Sequence, residues 1–246
     1  YKGNFNIIFL GSDIKVKYEI KDKLSLISAD NSYIGGGRKI FFKGDISTSP
    51  FFFDVKIELG SINLIKLINN LHKLQNLFTK KIFLHDRFNG ELSIKAHTID
   101  DFKLFNKADF ILKFINGELV IDGSKLISNK IGKISFINSK LTEKNNEQFI
   151  ESAILFEINN QKKFYQKVQV ARNNRIKLKN IYLELKKKVD VHDFEVSKFI
   201  INSNIKNNLL YKTIDITDIA DVNFALDIRN WIELKNYINK IFSEIN

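Results

Sequence analysis

The chain has 246 residues and a mass of 28.6 kDa, with 39 Lys and Arg against 28 Asp and Glu, a formal charge of +11. At 44% hydrophobic and 27% charged it is neither a disordered tail nor a membrane-embedded bundle. The lack of cysteine excludes a disulfide framework, a thiolate metal site and a cysteine nucleophile, and the lack of methionine leads us to expect a processed chain or an excerpt of a longer one.

The first clear element alternates Ile14, Val16, Tyr18 and Ile20 with Lys15, Lys17 and Glu19, the period of a half-buried strand. Gly35-Gly36-Gly37-Arg38-Lys39 is followed by Ile40-Phe41-Phe42, a strand. A phosphate loop would need a Lys-Ser/Thr pair and a helix there, so the glycines are expected to form a hairpin connection. Phe51, Phe53, Val55, Ile57 and Leu59 alternate with Phe52, Asp54, Lys56 and Glu58. Ser61 then caps an expected amphipathic helix over 62–78, with Leu64, Leu67, Ile68, Leu71, Leu74, Leu77 and Phe78 on one face.

Strand period returns at Leu92, Ile94 and Ala96, and at Phe110, Leu112 and Phe114, where Ile111 and Ile115 flank the run. Asn89-Gly90-Glu91-Leu92-Ser93-Ile94 is echoed by Asn116-Gly117-Glu118-Leu119-Val120-Ile121, either a repeated strand-turn-strand unit or convergent hairpin chemistry. Ile150, Ile154, Phe156 and Ile158 share a phase, and Phe164, Val168 and Val170, then Ile176 and Leu178, are expected to continue as strands. Asp122-Gly123, Asn145-Asn146, Asn159-Asn160 and Asn173-Asn174 supply turns. Finally Asp227 caps a second amphipathic helix over 228–245, with Trp231, Leu234, Ile238, Ile241, Phe242 and Ile245 on one stripe.

The expected fold is mainly β, a large curved antiparallel sheet of about a dozen strands forming an open groove or half-barrel, with those two helices. Residues 1–226 would be one β-groove domain and 227–246 a C-terminal helix packed on it. A dozen strands spaced about 4.8 Å span nearly 60 Å. Each helix is about 10 Å wide and shields roughly two strands. Much of the apolar face is left without cover, so the sheet must close into a sandwich or barrel, or cradle something apolar.

Ser49-Pro50-Phe51 opening a strand, the Leu/Ile-rich helix at 62–78, Phe88-Asn89-Gly90-Glu91-Leu92-Ser93-Ile94, Ala108-Asp109-Phe110 and Ile115-Asn116-Gly117-Glu118-Leu119 follow in that order. This order resembles the C-terminal region of AsmA-like proteins of Gram-negative bacteria, best over 44–140. The resemblance implies a long periplasmic chain held in the inner membrane by an N-terminal helix outside this sequence. It also implies a repeating β-groove that guides phospholipid towards the outer membrane, with no cofactor and no fixed lipid-binding residue.

The remaining chemistry is sparse. His72 falls on the polar side of the first helix. His85-Asp86 and His192-Asp193 are adjacent pairs that diverge on extended backbone, and His97 with Asp100 and Asp101 is the one combination that a turn could gather. No Ser/His/Asp set stands out, so no enzyme is expected. Lys dominates the basic residues, with Arg only at Arg38, Arg87, Arg172, Arg175 and Arg229. Together with abundant Ile, Asn and Phe this marks an AT-rich genome, so the charge reads as codon drift as readily as a binding surface. Lys162-Lys163-Phe164-Tyr165-Gln166-Lys167 and Lys186-Lys187-Lys188 interleave or cluster cations as a single-strand binder would, but Lys beside anionic headgroups serves equally well.

The leading expectation is a non-enzymatic lipid conduit. Its lipid-facing stripe comprises Phe51, Phe53, Val55, Ile57, Leu59, Leu92, Ile94, Phe110, Leu112 and Phe114, along which phospholipid acyl chains slide. A closed β-sandwich serving as a structural or adhesive envelope module is the alternative, and nucleic-acid binding ranks third.

Overall fold

The structure is a computed structural model that describes residues 1–9, 12–21, 24–34, 38–65, 84–102, 104–145, 147–188, 195–203, 212–215 and 231–244. It is mainly β, built on a large mixed sheet that is not closed into a barrel, with two helices described over their whole length. The chain divides into two compact units, one of Tyr1–Asp101 with Lys107–Ser124 and one of Phe102–Asn106 with Lys125–Asn246. Among the described residues no helix is long and apolar enough to cross a membrane.

In the first unit, β1 (Lys2–Phe9), β2 (Ser12–Lys21), β3 (Leu24–Ile34), β4 (Arg38–Thr48) and β5 (Phe51–Leu59) form successive antiparallel pairs. The Ser49-Pro50 turn between β4 and β5 contains a cis peptide bond. Next comes β6 (Asn89–Ala96), which departs from the expected antiparallel pairing, because β5 and β6 are parallel. Two parallel neighbours require the chain to return to the same end of the sheet, and residues 60–88 make that return. Alternation of side chains is identical for both pairings, so the sequence pattern could not tell them apart.

The helix expected over 62–78 begins at Leu64 and Ile65, and the segment 66–83 lies outside the described residues. Its first backbone amides are not held by Ser61. Instead the Asp101 carboxylate accepts from Leu64 N–H at 2.8 Å and from Ile65 N–H at 2.6 Å. Negative charge at that end suits the helix macrodipole.

β7 (Lys107–Ile115) and β8 (Glu118–Val120) complete the unit as an antiparallel hairpin. Its two-residue turn, Asn116 (φ 49°) and Gly117 (φ 80°), uses the left-handed conformations that suit a tight hairpin. The echoed hexapeptides therefore differ in structure. Asn116-Gly117 is a turn, whereas Asn89-Gly90 opens β6 and pairs with Phe52 and Phe53. The two copies touch, since Asn116 N–H donates to Asn89 Oδ1 at 3.0 Å.

The second unit pairs β9 (Lys125–Ser128) with β10 (Gly132–Lys144), then runs through β11 (Glu147–Ile158), β12 (Asn180–Lys188), β13 (Glu195–Ser203) and β14 (Lys212–Asp215), all antiparallel. A bulge between Ile137 and Lys140, with Asn138 at φ 47°, bends β10 and places Ser139 Oγ 2.6 Å from Ser152 Oγ in a buried pair.

Between β11 and β12 lies helix α1 (Gln161–Val168), which corrects the strand expected over 164–170. Asn160 caps it by accepting from Lys163 N–H at 3.0 Å. Phe164, Tyr165 and Val168, spaced one and three apart, reach one helical face and are all buried. Ile176 and Leu178 lie on extended chain before β12, outside any strand. The second helix, α2 (Trp231–Glu244), falls within the expected span, while the expected Asp227 cap lies outside the described residues.

Both helices share one aromatic core with the sheet. Phe156 of β11 meets Phe105 at 5.5 Å and Phe164 at 5.6 Å, and Phe242 of α2 meets Tyr165 at 5.5 Å. Phe102 extends the chain of rings to Trp231. Edge-to-face geometry recurs along it, the arrangement favoured by ring quadrupoles, and Phe164 and Phe242 retain 0% and 1% of their surface.

Tyr165, 3% exposed, donates its hydroxyl to Ile176 O at 2.7 Å, and burial pushes its pKa up to about 12. An ordinary tyrosine titrates near 10, so folding favours the neutral form. The stability this contributes is complete below pH ~10 and is lost as pH rises to about 12. Tyr165→Phe should therefore cost about 1 kcal/mol at neutral pH, by leaving the Ile176 carbonyl without its donor. It should also flatten the alkaline loss of stability between those pH values, read by urea denaturation across the range.

Candidate apolar binding face

The residues expected to meet lipid come together on one face of the first unit. Register aligns them in rows across β4, β5, β6 and β7. Ile46, Phe53, Gly90 and Phe114 form one row, Gly44, Val55, Leu92 and Leu112 the next, and Phe42, Ile57, Ile94 and Phe110 the third. Ile40, Leu59, Ala96 and Ala108 close the block.

The rows differ in burial. Leu59 and Phe114, each 7% exposed, belong to packed core, and Phe51 at the edge is 40% exposed. Phe53, Val55, Ile57, Leu92, Ile94, Phe110 and Leu112 are half-buried, so the centre of the face is neither fully covered nor free.

The opposite face of the same strands is charged. Asp45, Asp54, Glu91 and Lys113 share a row, with Lys113 Nζ 3.7 Å from Glu91, and Lys43 and Lys56 share the next. Phe41, Phe52 and Ile111 also lie on that face, but a single residue step of register would still exchange a wholly apolar surface for a largely polar one, and the register is fixed accordingly.

At one end of the apolar face four rings cluster. Phe88 stacks on Phe51 at 5.6 Å, tilts against Phe53 at 5.1 Å and meets Phe114 edge-on at 5.2 Å, while Phe53 and Phe114 are 5.5 Å apart. Phe88 was not among the residues expected to face lipid. Its parity with Gly90 and Leu92 was the available signal. Gly90 makes the cluster possible, because a Cβ there would collide with the Phe53 ring and carbonyl.

The polar residues with possible chemistry do not converge. His85 and Asp86, expected to diverge, are brought to 2.9 Å by a local turn, and His85 Nδ1 also lies 3.1 Å from the donating Arg87 N–H, all on exposed surface. His97 pairs with Glu58 at 3.7 Å, while Asp101 serves the helix start. His72, His192 and Gly35-Gly36-Gly37 lie outside the described residues. Among the described residues no group of three His, Cys, Asp or Glu could hold a metal ion. The aromatics of Lys162–Lys167 are packed inside the second unit, at 0% and 3% exposure for Phe164 and Tyr165, so neither can stack on a base. Lys186 and Lys188 pair with Glu151 and Glu147.

No protein-family model matches the chain, nor does any curated protein or solved structure.

Gly90→Val should disperse the four-ring cluster by driving Phe53 off its position. Overpacking of this kind costs about 1–3 kcal/mol, to be read as a lowered urea midpoint with unchanged slope, whereas exposed Lys56→Val should leave the midpoint nearly unmoved.

Proposed function

We propose that the apolar face of the first unit is a lipid-binding surface, and that the chain carries or guides phospholipid acyl chains without chemistry of its own. The observation that carries the reading is the block of half-buried Phe, Val, Ile and Leu spanning three rows and four strands at the centre of that face. Contiguous apolar patches of several hundred Å² mark sites of interaction in soluble proteins. Moving an acyl chain from water onto such a surface gains about 0.8 kcal/mol per buried CH₂. The rows themselves are built only of apolar residues and glycine, and this suits a sliding, chemically unselective cargo better than a small polar substrate.

The resemblance of residues 44–140 to AsmA-like proteins points the same way. On that reading the chain works in the periplasm as part of a longer protein anchored in the inner membrane, and its cargo moves between the two membranes. A structural or adhesive envelope module is the reading that takes over if no lipid binds.

The test is native mass spectrometry of protein purified from membranes, combined with a fluorescent phospholipid transfer assay. Bound phospholipid is expected, and Val55→Glu with Leu112→Glu should reduce transfer at least tenfold while circular dichroism is unchanged. Lys56→Glu, on the charged face, should transfer as the parent does. Protein free of phospholipid, or unaltered transfer by the double variant, overturns the assignment.

A further inference from the structure

The crossover from β11 to β12 carries a second surface that the lipid reading does not use. From Ile158 to Leu183 the chain holds seven cations and no acid, although 28 acids in 246 residues would place about three in a span of 26. A genome-wide bias towards Lys raises the number of cations but does not remove carboxylates, so this local imbalance needs its own reason.

The cations are presented together. On α1, Lys162, Lys163 and Lys167 are exposed and, at about 100° per residue, occupy one arc of the helix. The buried Phe164, Tyr165 and Val168 fill the opposite arc. Beyond α1, Arg172 sits on an exposed 3-10 turn, and Lys177 and Lys179 point outward on either side of buried Leu178. The segment is fastened to one end of the sheet. Ile158 N–H donates to Lys179 O at 2.8 Å, and Asn159 N–H and Asn160 N–H donate to Ile131 O.

Two observations on the described residues point to charge without compensation. Among the described residues, no carboxylate forms an ion pair with any of those six side chains, whereas lysines of β10, β12 and β13 are paired with Glu147, Glu151, Glu157 and Glu184. The first turn of α1 also has no acid and places Lys162 and Lys163 where the helix dipole is positive. That arrangement disfavours the helix, and a sequence selected for stability alone would put Glu there.

We propose that this crossover is a docking surface for an anionic membrane, with lipid headgroup phosphates supplying the missing negative charge. Lysine-rich, aromatic-free exposure fits a laterally mobile layer of phosphates, which needs point charges and no fixed geometry. Single-stranded nucleic acid is the other polyanion, and it is disfavoured because Phe164 and Tyr165 of α1 are buried, the half-buried Tyr182 donates its hydroxyl to Glu184 at 2.9 Å, and the Arg175 guanidinium is held by Val170 O at 2.9 Å and over the Tyr165 ring. The surface belongs to the second unit and does not depend on the apolar face of the first.

The experiment is co-sedimentation of the whole chain with vesicles of phosphatidylglycerol and phosphatidylcholine, against vesicles of phosphatidylcholine alone. Binding is expected only to the anionic vesicles, falling with salt. Lys162→Glu/Lys163→Glu/Lys167→Glu should weaken it by roughly tenfold or more while the melting temperature holds or rises, since Glu suits the helix start. An equal charge change at Lys43, Lys56 and Lys95, on the charged face of the first unit, should weaken it far less. Equal loss from both triples would reduce the effect to net charge and overturn the proposal. So would absence of vesicle binding, or tighter binding of a single-stranded oligonucleotide that the α1 triple abolishes. The Val55→Glu/Leu112→Glu variant should still sediment with anionic vesicles, which separates failure of this surface from failure of the lipid cargo reading.

Discussion

A strand that alternates apolar and polar side chains makes a sheet with one face that must be kept from water. That constraint governs both halves of this chain. The second unit meets it with two helices locked to the sheet by rings, Phe164 of α1 against Phe156 and Phe242 of α2 against Tyr165. Rows next to those helices are closed, with Ile181, Ile201 and Phe156 all buried. In the first unit, register builds an equally apolar face across β4 to β7, yet its central residues stay half-buried. The second unit thus has a finished core, while the first keeps an apolar face whose centre is only half-buried.

The polar faces are organised by charge but not held together by it. Lys144, 2.8 Å from Glu151, with Lys186 and Lys140 behind it, keeps that carboxyl below its ordinary pKa. Such ladders sit in solvent, where each pair is worth little. Their effect is to suit each charged row to its neighbour and so to penalise a slipped register. Against this careful pairing on the strands, the crossover around α1 stands out because, among the described residues, none of its cations is paired with a carboxylate.

How much of this was legible depended on whether a pattern had one physical meaning. Strict alternation at Phe51–Leu59 and Leu92–Ala96, backed by charged residues in the off phase, has only one, and both are strands. Phe164, Val168 and Val170 fit either a sparse strand or a helix. The deciding features were Tyr165 beside Phe164 and the capping Asn160, both short-range signals that alternation ignores. Asn-Gly was equally ambiguous, making a turn at Asn116, where Ile115 and Glu118 pair across it, and an extended start at Asn89, where Asn89 and Gly90 themselves pair with β5. The apolar face could be named residue by residue, but its depth could not. Leu59 and Phe114 proved to be core while Phe53 and Leu112 did not, which depends on neighbours distant in sequence. Asp101 capping a helix thirty-seven residues earlier is likewise a tertiary fact without a local signature.

The parallel junction between β5 and β6 also has a kinetic side. Neighbours linked by tight turns can zip together as soon as they are synthesised, but β6 cannot reach β5 until residues 60–88 have bridged the gap, and closing such a loop is slow relative to hairpin formation. The first unit is thus assembled from two hairpin blocks, β1–β5 and β6–β8, with β5 and β6 as raw edges until they meet. During that interval Phe53, Val55 and Ile57 lie beside unsatisfied backbone, the combination most prone to pairing with the wrong chain. Nascent copies of this protein should accordingly depend on holdase chaperones for as long as that one seam stays unsewn.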